Sequence, residues 1–164
     1  MRFDELDIPD SVSDALREKG FINLHPPQAE AIPIALEGHN LVVSVPTASG
    51  KSIIGYIPAL KKVLNERKKV LYIVPLKALA SEKRDDLDMF SHLGYKVAMS
   101  TGDLDSDDGG IKDADIVVAT SEKADSMIRH GSRWIDSVGL VIADEVHLIH
   151  DPGRGPTLEV TLTK

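Results

Sequence analysis

The chain has no cysteine among its 164 residues, which excludes disulfides, thiolate zinc sites and cysteine nucleophiles. It has one Trp, three Tyr and three Phe, too few for a platform on which single-stranded bases stack. The opening Met1-Arg2-Phe3-Asp4-Glu5 lacks the apolar core of a signal segment. No apolar run approaches the length that spans a bilayer. These absences lead to the expectation of a soluble, cytoplasmic chain without a membrane partner. A net charge of −7 argues against a broad basic face, yet leaves room for a local groove that holds a phosphate backbone.

What is present is a balanced composition, 42% hydrophobic and 27% charged, in a length that can bury a real core. One stretch stands out: Ser44-Val45-Pro46-Thr47-Ala48-Ser49-Gly50-Lys51-Ser52. Leu41-Val42-Val43 leads into it and Ile53-Ile54-Gly55-Tyr56 leads out, so a strand, a small-residue loop and a helix follow in order. Phosphate is densely charged and needs backbone N–H groups that converge without intervening side chains. A helix N-terminus supplies them, and Gly50 permits the close approach. Lys51 then reaches the outer phosphates, and the Ser52 hydroxyl suits Mg²⁺. The usual pattern has glycine where Val45 stands.

Upstream, Val12, Ala15 and Leu16 recur at helical spacing and predict a helix over 9–19, capped by Asp10 or Ser11 and stopped by Gly20. Pro26 and Pro27 start another that ends near Leu36, before Gly38. From residue 40 onward, strands and helices alternate. Strands are expected over 40–45, 69–74, 95–100, 114–119 and 138–143. Helices are expected over 52–65, over 76–93 with Leu79, Leu87 and Phe90 inward, and over 121–130. The apolar runs are continuous rather than alternating, the mark of parallel strands buried on both faces. The expected fold is therefore α/β, a three-layer doubly wound domain with a mostly parallel twisted sheet. The acidic stretch 103–110 fails the calcium-loop pattern, with Asp108 at its sixth position and Ala114 at its twelfth, and reads as a solvated loop.

The strand over 138–143 runs directly into Asp144-Glu145-Val146-His147. An aspartate at a strand's carboxyl end can hold Mg²⁺, and the next carboxylate can orient and deprotonate an attacking water. Ligands of open parallel sheets bind beyond the strands' carboxyl ends, where both motifs fall. His147 and His150 sit three apart, but the zinc-protease order of His and Glu is absent.

With these residues in hand, the chain resembles the Asp-Glu-x-His class of superfamily 2 helicases over nearly its whole length. Pro26-Pro27-Gln28-Ala29-Glu30-Ala31-Ile32 looks like the adenine-reading glutamine motif. Pro46-Thr47-Ala48-Ser49-Gly50-Lys51-Ser52 is similar to that superfamily's motif I, which lacks the first glycine, with Ser52 in place of the commoner threonine. Pro75-Leu76-Lys77-Ala78-Leu79-Ala80 resembles motif Ia, Thr101-Gly102-Asp103 motif Ib, and Thr120-Ser121-Glu122-Lys123 the following strand-binding motif. Arg154-Gly155-Pro156-Thr157-Leu158-Glu159 resembles the segment after motif II in archaeal DNA-repair helicases, ATP-driven 3′-to-5′ translocases. Those are relatives of the polymerase theta helicase part and of the exosome RNA helicases.

The resemblance implies a RecA-like ATP-binding domain over 39–164, cut before its last strand, preceded by N-terminal helices over 1–38. It implies ATP and Mg²⁺ as cofactors. Gln28 would read adenine, and Thr47, Ala48, Ser49, Gly50, Lys51 and Ser52 would wrap the phosphates. Ser52 and Asp144 would hold Mg²⁺, Glu145 would be the general base, and His147 would couple nucleotide state to a partner domain. Pro75, Leu76, Lys77, Thr101, Gly102, Thr120, Ser121 and Lys123 would line a track for single-stranded or forked DNA, with RNA as the other candidate. A second motor domain of the same protein would supply arginine fingers, so the fragment, expected as a monomer, would hydrolyse ATP negligibly alone. The rival readings are the motor domain of an exosome-type RNA helicase, a non-catalytic nucleotide-binding or nucleic-acid-docking module, and a P-loop enzyme outside the helicases, such as a kinase.

Overall fold

The computed structural model describes residues 1–46, 48–102 and 108–164. Thr47 and the core of the acidic stretch, 103–107, lie outside the described residues. The chain divides into two compact units, Met1–Arg67 and Lys68–Lys164.

The first unit holds a 3₁₀ turn (Phe3–Glu5) and helices α1 (Asp10–Glu18), α2 (Pro26–Leu36) and α3 (Lys51–Leu64). Val12, Ala15 and Leu16 form the buried face of α1, as their spacing predicts. Its cap differs from the expectation: Pro9, with φ −56°, takes the N-cap position in place of Asp10 or Ser11. Proline's ring fixes that angle, and Asp10 instead serves in the first turn, where its charge complements the helix dipole. Gly20 then turns the chain at φ +84°. Pro26 and Pro27 occupy the first two positions of α2, where a missing N–H costs nothing. Helix α2 packs on α3, and Ile32, Ile57 and Leu60 are fully buried.

Between α2 and α3 the expected strand over 40–45 does not form, and the backbone has no regular secondary structure there. Leu41 is 39% and Val42 is 83% exposed. A β-branched apolar run favours a pleated surface, but a strand exists only where a neighbour completes the ladder. The described sheet does not include this segment.

The second unit is built on four parallel strands in the order β2-β3-β1-β4. They are β1 (Lys69–Val74), β2 (Val97–Ser100), β3 (Ile116–Thr120) and β4 (Val138–Ala143). Around them run α4 (Lys77–Asp88), α5 (Asp108–Lys112), α6 (Ser121–Arg129), α7 (Arg133–Asp136) and α8 (Gly155–Thr163). One face of the sheet buries Leu71 and Ile73 of β1 and Val117 and Ala119 of β3 against Ala124, Trp134 and Leu158 from α6, α7 and α8. Helix α4 packs against β1, β2 and β3 and buries Ala80, Lys83 and Leu87. Both faces of β1 are therefore covered, which explains its unbroken apolar run.

Several boundaries differ from expectation. The helix predicted over 76–93 ends at Asp88, and a separate 3₁₀ turn spans Ser91–Leu93. Leu87 and Phe90 are buried as predicted, whereas Leu79 is only partly so. Residues 108–110, expected in a loop, open the short helix α5. Helix α7 has no predicted counterpart; Trp134 anchors it by burial and by donating Nε1–H to the Ala114 carbonyl at 2.8 Å.

Helix α8 approaches the 3₁₀ turn Val146–His150 closely, and its Gly155 N–H donates to the Asp151 carbonyl at 2.7 Å. A Cβ on Gly155 would stand 2.0 Å from the Ile149 carbonyl oxygen, so a backbone group would have to move. Gly155→Ala is expected to destabilise the protein by about 1–3 kcal/mol, read as a lower thermal midpoint. An unchanged midpoint would mean that the turn relaxes freely.

Candidate functional site

In the first unit, the candidate residues gather at the start of α3. Gly50 is the N-cap in the left-handed conformation, at φ +67° and ψ 28°. Having no side chain, it gives the first-turn N–H groups no cap of its own, and no acidic residue stands in that turn. Lys51 at the first helical position opposes the helix dipole, an arrangement that costs stability unless an anion joins it. Ala48 also has a positive φ, 68°, a strained angle for a residue with a Cβ.

Gln28 is buried, 3% exposed. Its Oε1 accepts from the His25 N–H at 2.9 Å, and its Nε2 donates to the Gly50 carbonyl at 3.0 Å. The first bond closes a capping box at the start of α2. The second ties α2 to the loop before α3. A Cβ on Gly50 would meet Gln28 Nε2 at 2.6 Å, so Gly50 serves both the backbone angle and this approach.

In the second unit, all four parallel strands present their carboxyl ends on one edge of the sheet. Pro75, Leu76 and Lys77 follow β1, Thr101 and Gly102 follow β2, Thr120 ends β3, and Ser121 and Lys123 open α6. Leu76 is 43% exposed and Lys77 is exposed, while Thr101 and Ser121 are buried. Neither α4 nor α6 has a side-chain cap hydrogen bond at its N-terminus.

Asp144 stands on the same edge, after β4. Its N–H donates to the Ile73 carbonyl at 2.9 Å, which extends the β1–β4 ladder by one step. Its side chain is 15% exposed. Oδ1 accepts from the Glu145 N–H at 2.9 Å, and Oδ2 accepts from the Tyr72 hydroxyl at 3.4 Å. Burial, reinforced by the Asp144 charge, pushes the Tyr72 hydroxyl well above the usual tyrosine range, so it stays the donor. Lys83 Nζ lies 3.6 Å from the same Oδ2. Glu145 adopts φ 54°, ψ 39°, the left-handed region, at a cost of about 1–2 kcal/mol for a non-glycine residue. Its Oε2 lies 3.3 Å from His147 Nδ1. Strain of this kind persists where the surroundings over-determine a side chain's aim.

Sequence reasoning overlooked Lys83 and Tyr72. A readable signal existed for Lys83: Ala80, Lys83 and Leu87 share one helical stripe, and a lysine on an apolar stripe needs a buried partner. In the second unit the Asp144 carboxylate offers oxygen donors, the chemistry Mg²⁺ takes. Among the described residues no three His, Asp or Glu side chains gather into a cage. A lone carboxylate of this kind fits a metal that keeps waters and phosphate oxygens as its remaining ligands.

A parallel α/β sheet with Asp-Glu at a strand's carboxyl end and, in the first unit, Gly-Lys-Ser opening a helix are features of the RecA-like α/β class. Residues 25–164 match the DEAD/DEAH box helicase family, and the chain belongs to that family. It is 49% identical over its full length to the ATP-dependent DNA helicase Hel308 of Pyrococcus abyssi, covering 23% of that protein. It is 50% identical over 99% of its length to the Thermococcus kodakarensis Hel308, covering 15% of it. The chain thus spans less than a quarter of either relative. A solved hypothetical ATP-dependent RNA helicase from Sulfolobus tokodaii superposes with a TM-score of 0.81 at 28% identity, over 95% of this chain and 47% of that one. No described helix is long and apolar enough to cross a membrane.

Gly50→Ala and Gln28→Ala should each weaken binding of a fluorescent ATP analogue. Because they share one contact, the double variant should lose less than the summed effects, with a coupling of about 0.5–3 kcal/mol. Strict additivity would separate Gln28 from the loop.

Proposed function

We propose that this chain is the ATP-binding part of the motor of an ATP-dependent 3′-to-5′ DNA helicase that acts in repair or replication restart in the cytoplasm. The observation that carries this reading is the 49–50% identity, along this chain's length, with proteins named ATP-dependent DNA helicases. It favours DNA over RNA as the track. The N-terminal helices over 1–38 supply the adenine reader, and 39–164 supply the nucleotide-binding domain.

Within it, Gln28 hydrogen-bonds the adenine edge. The amide already fixed by His25 and Gly50 has one N–H and one lone pair left for that purpose. Thr47, Ala48, Ser49, Gly50, Lys51 and Ser52 surround the phosphates, with Lys51 countering the charge of the outer two. Ser52 and Asp144 would hold Mg²⁺, which when bound neutralises charge building on the transferred phosphoryl group. Glu145 accepts the proton of the attacking water, and its strained backbone aims the carboxylate. His147, within reach of Glu145, links that carboxylate to a second motor domain of the same protein.

Pro75, Leu76, Lys77, Thr101, Gly102, Thr120, Ser121 and Lys123 contact single-stranded or forked DNA. Two helix N-termini on that edge, those of α4 and α6, suit backbone phosphates. Such contacts reconcile a net charge of −7 with a nucleic-acid partner. Arginine fingers from the second motor domain are worth about 10³–10⁵ in rate, so this segment by itself is a monomer of negligible turnover.

Glu145→Gln in the full-length protein should keep ATP binding while DNA-stimulated hydrolysis falls by about 10²–10⁴; unchanged turnover would remove Glu145 as the base. Gln28→Ala should erode the preference for ATP over GTP. A wild-type protein that uses both equally would end the adenine-reading role. Stimulation by RNA but not by single-stranded DNA would overturn the choice of track.

A further inference from the structure

Lys83 has no part in the roles above, yet its charge is buried within the second unit. Its side chain is 7% exposed. Nζ lies 3.6 Å from Asp144 Oδ2 and 3.6 Å from Glu82 Oε1. The Glu82 side chain is 60% exposed, so water screens it and it compensates little. Asp144, at 15% exposure, is the carboxylate buried with the ammonium, and burying either alone would be costly. Two further polar neighbours of Asp144 are neutral donors, the Tyr72 hydroxyl on Oδ2 and the Glu145 N–H on Oδ1. They orient the carboxylate but cancel none of its charge. Asp86 and Glu82 of α4 add negative potential around Tyr72, and Glu145 adds another carboxylate beside Asp144. Among the described residues of the second unit, Lys83 is a cation set against Asp144, at 3.6 Å.

We propose that Lys83 is a positioning and selectivity residue: a resident counter-cation that neutralises and aligns Asp144 and makes it refuse a bare divalent ion while accepting one carried by nucleotide. This rests on Asp144 being the metal ligand. The physics is a matter of sign. A bare divalent cation approaching Asp144 meets the Lys83 charge and is repelled. The same ion bound to a nucleoside triphosphate arrives as a net anion, for which Lys83 is attractive. Within the metal site, the ammonium therefore couples metal entry to nucleotide entry. The Tyr72 hydroxyl adds a directed hydrogen bond on the same Oδ2 and so reinforces the alignment that the Lys83 charge favours.

The test uses Mn²⁺ as the probe in the full-length protein, with free Mn²⁺ followed by electron paramagnetic resonance. Wild type should bind Mn²⁺ weakly alone and tightly with ADP, and Asp144→Ala should lose the nucleotide-dependent part. Lys83→Met should bind bare Mn²⁺ about tenfold more tightly than wild type. That gain should vanish in the Lys83→Met/Asp144→Ala double variant, and Lys83→Arg should restore wild-type behaviour. A merely structural lysine would not raise metal affinity when removed. If Lys83→Met does not fold by circular dichroism, Lys83→Gln, which keeps a donor but no charge, carries the same expectation. A folded Lys83→Met or Lys83→Gln with wild-type affinity for bare Mn²⁺ overturns the proposal. Wild type and Asp144→Ala binding Mn²⁺ with ADP equally well would instead overturn the metal-ligand reading beneath it.

Discussion

Strand β1 carries the second unit. It pairs with β3 on one side and β4 on the other, all parallel, and from Val70 to Val74 it is 2% exposed or less. Parallel pairing has a consequence that no side chain supplies: every strand delivers its successor loop to the same edge. The residues following β1, β2 and β3 and the Asp-Glu pair following β4 therefore share one rim, although they are far apart in the chain. The last bond of the ladder, from the Asp144 N–H to the Ile73 carbonyl, fixes where the carboxylate begins. Loss of β1 packing would move all of these together.

At the rim, electrostatics is arranged by opposition. The Asp144 carboxylate is largely buried beside an ammonium, a phenol and an amide N–H. Each is worth more in a partly dry setting than it would be in water. At the start of α3 the balance is reversed. A lysine, an N-cap glycine that offers no side-chain cap, and a first turn without an acidic residue of its own make a helix start that favours an anion. Glycine is required there by a positive φ and by the proximity of Gln28; at Gly155 it is required by a carbonyl alone.

The periodic segments were legible. Helices α1, α2, α3 and α6 and the strands β1 and β4 lie within a residue or two of where apolar spacing, prolines and glycines put them. Elsewhere, sequence signals were weak because tertiary contacts did the deciding. Helix α7 is four residues long, below what periodicity can register, and exists because Trp134 finds the Ala114 carbonyl. The segment over 40–45 has strand composition without a strand, since composition cannot supply a ladder neighbour. Lys83 lies on the apolar stripe of α4 with Ala80 and Leu87, but its partner Asp144 comes from the far end of the chain and only the structure names it. Of the candidate site, the Gly-Lys-Ser and Asp-Glu-Val-His motifs were plain; the hydrogen bonds that hold Gln28, Asp144 and Glu145 in place were not.

The sequence alone determined the fold class and the family, and it named the candidate residues of the site. Local patterns encode these: continuous apolar runs for buried parallel strands, a small-residue loop before Lys51, a carboxylate pair at the end of β4. Only the tertiary structure decided which neighbours each of those residues has. Tyr72, Lys83 and Asp144 come from a mid-strand position, a helix face and a strand end, and no short-range signal links them. Their convergence follows from the register of β1 on β4 and from the packing of α4 on the sheet. Both are set by long-range burial, which a linear pattern permits but does not specify.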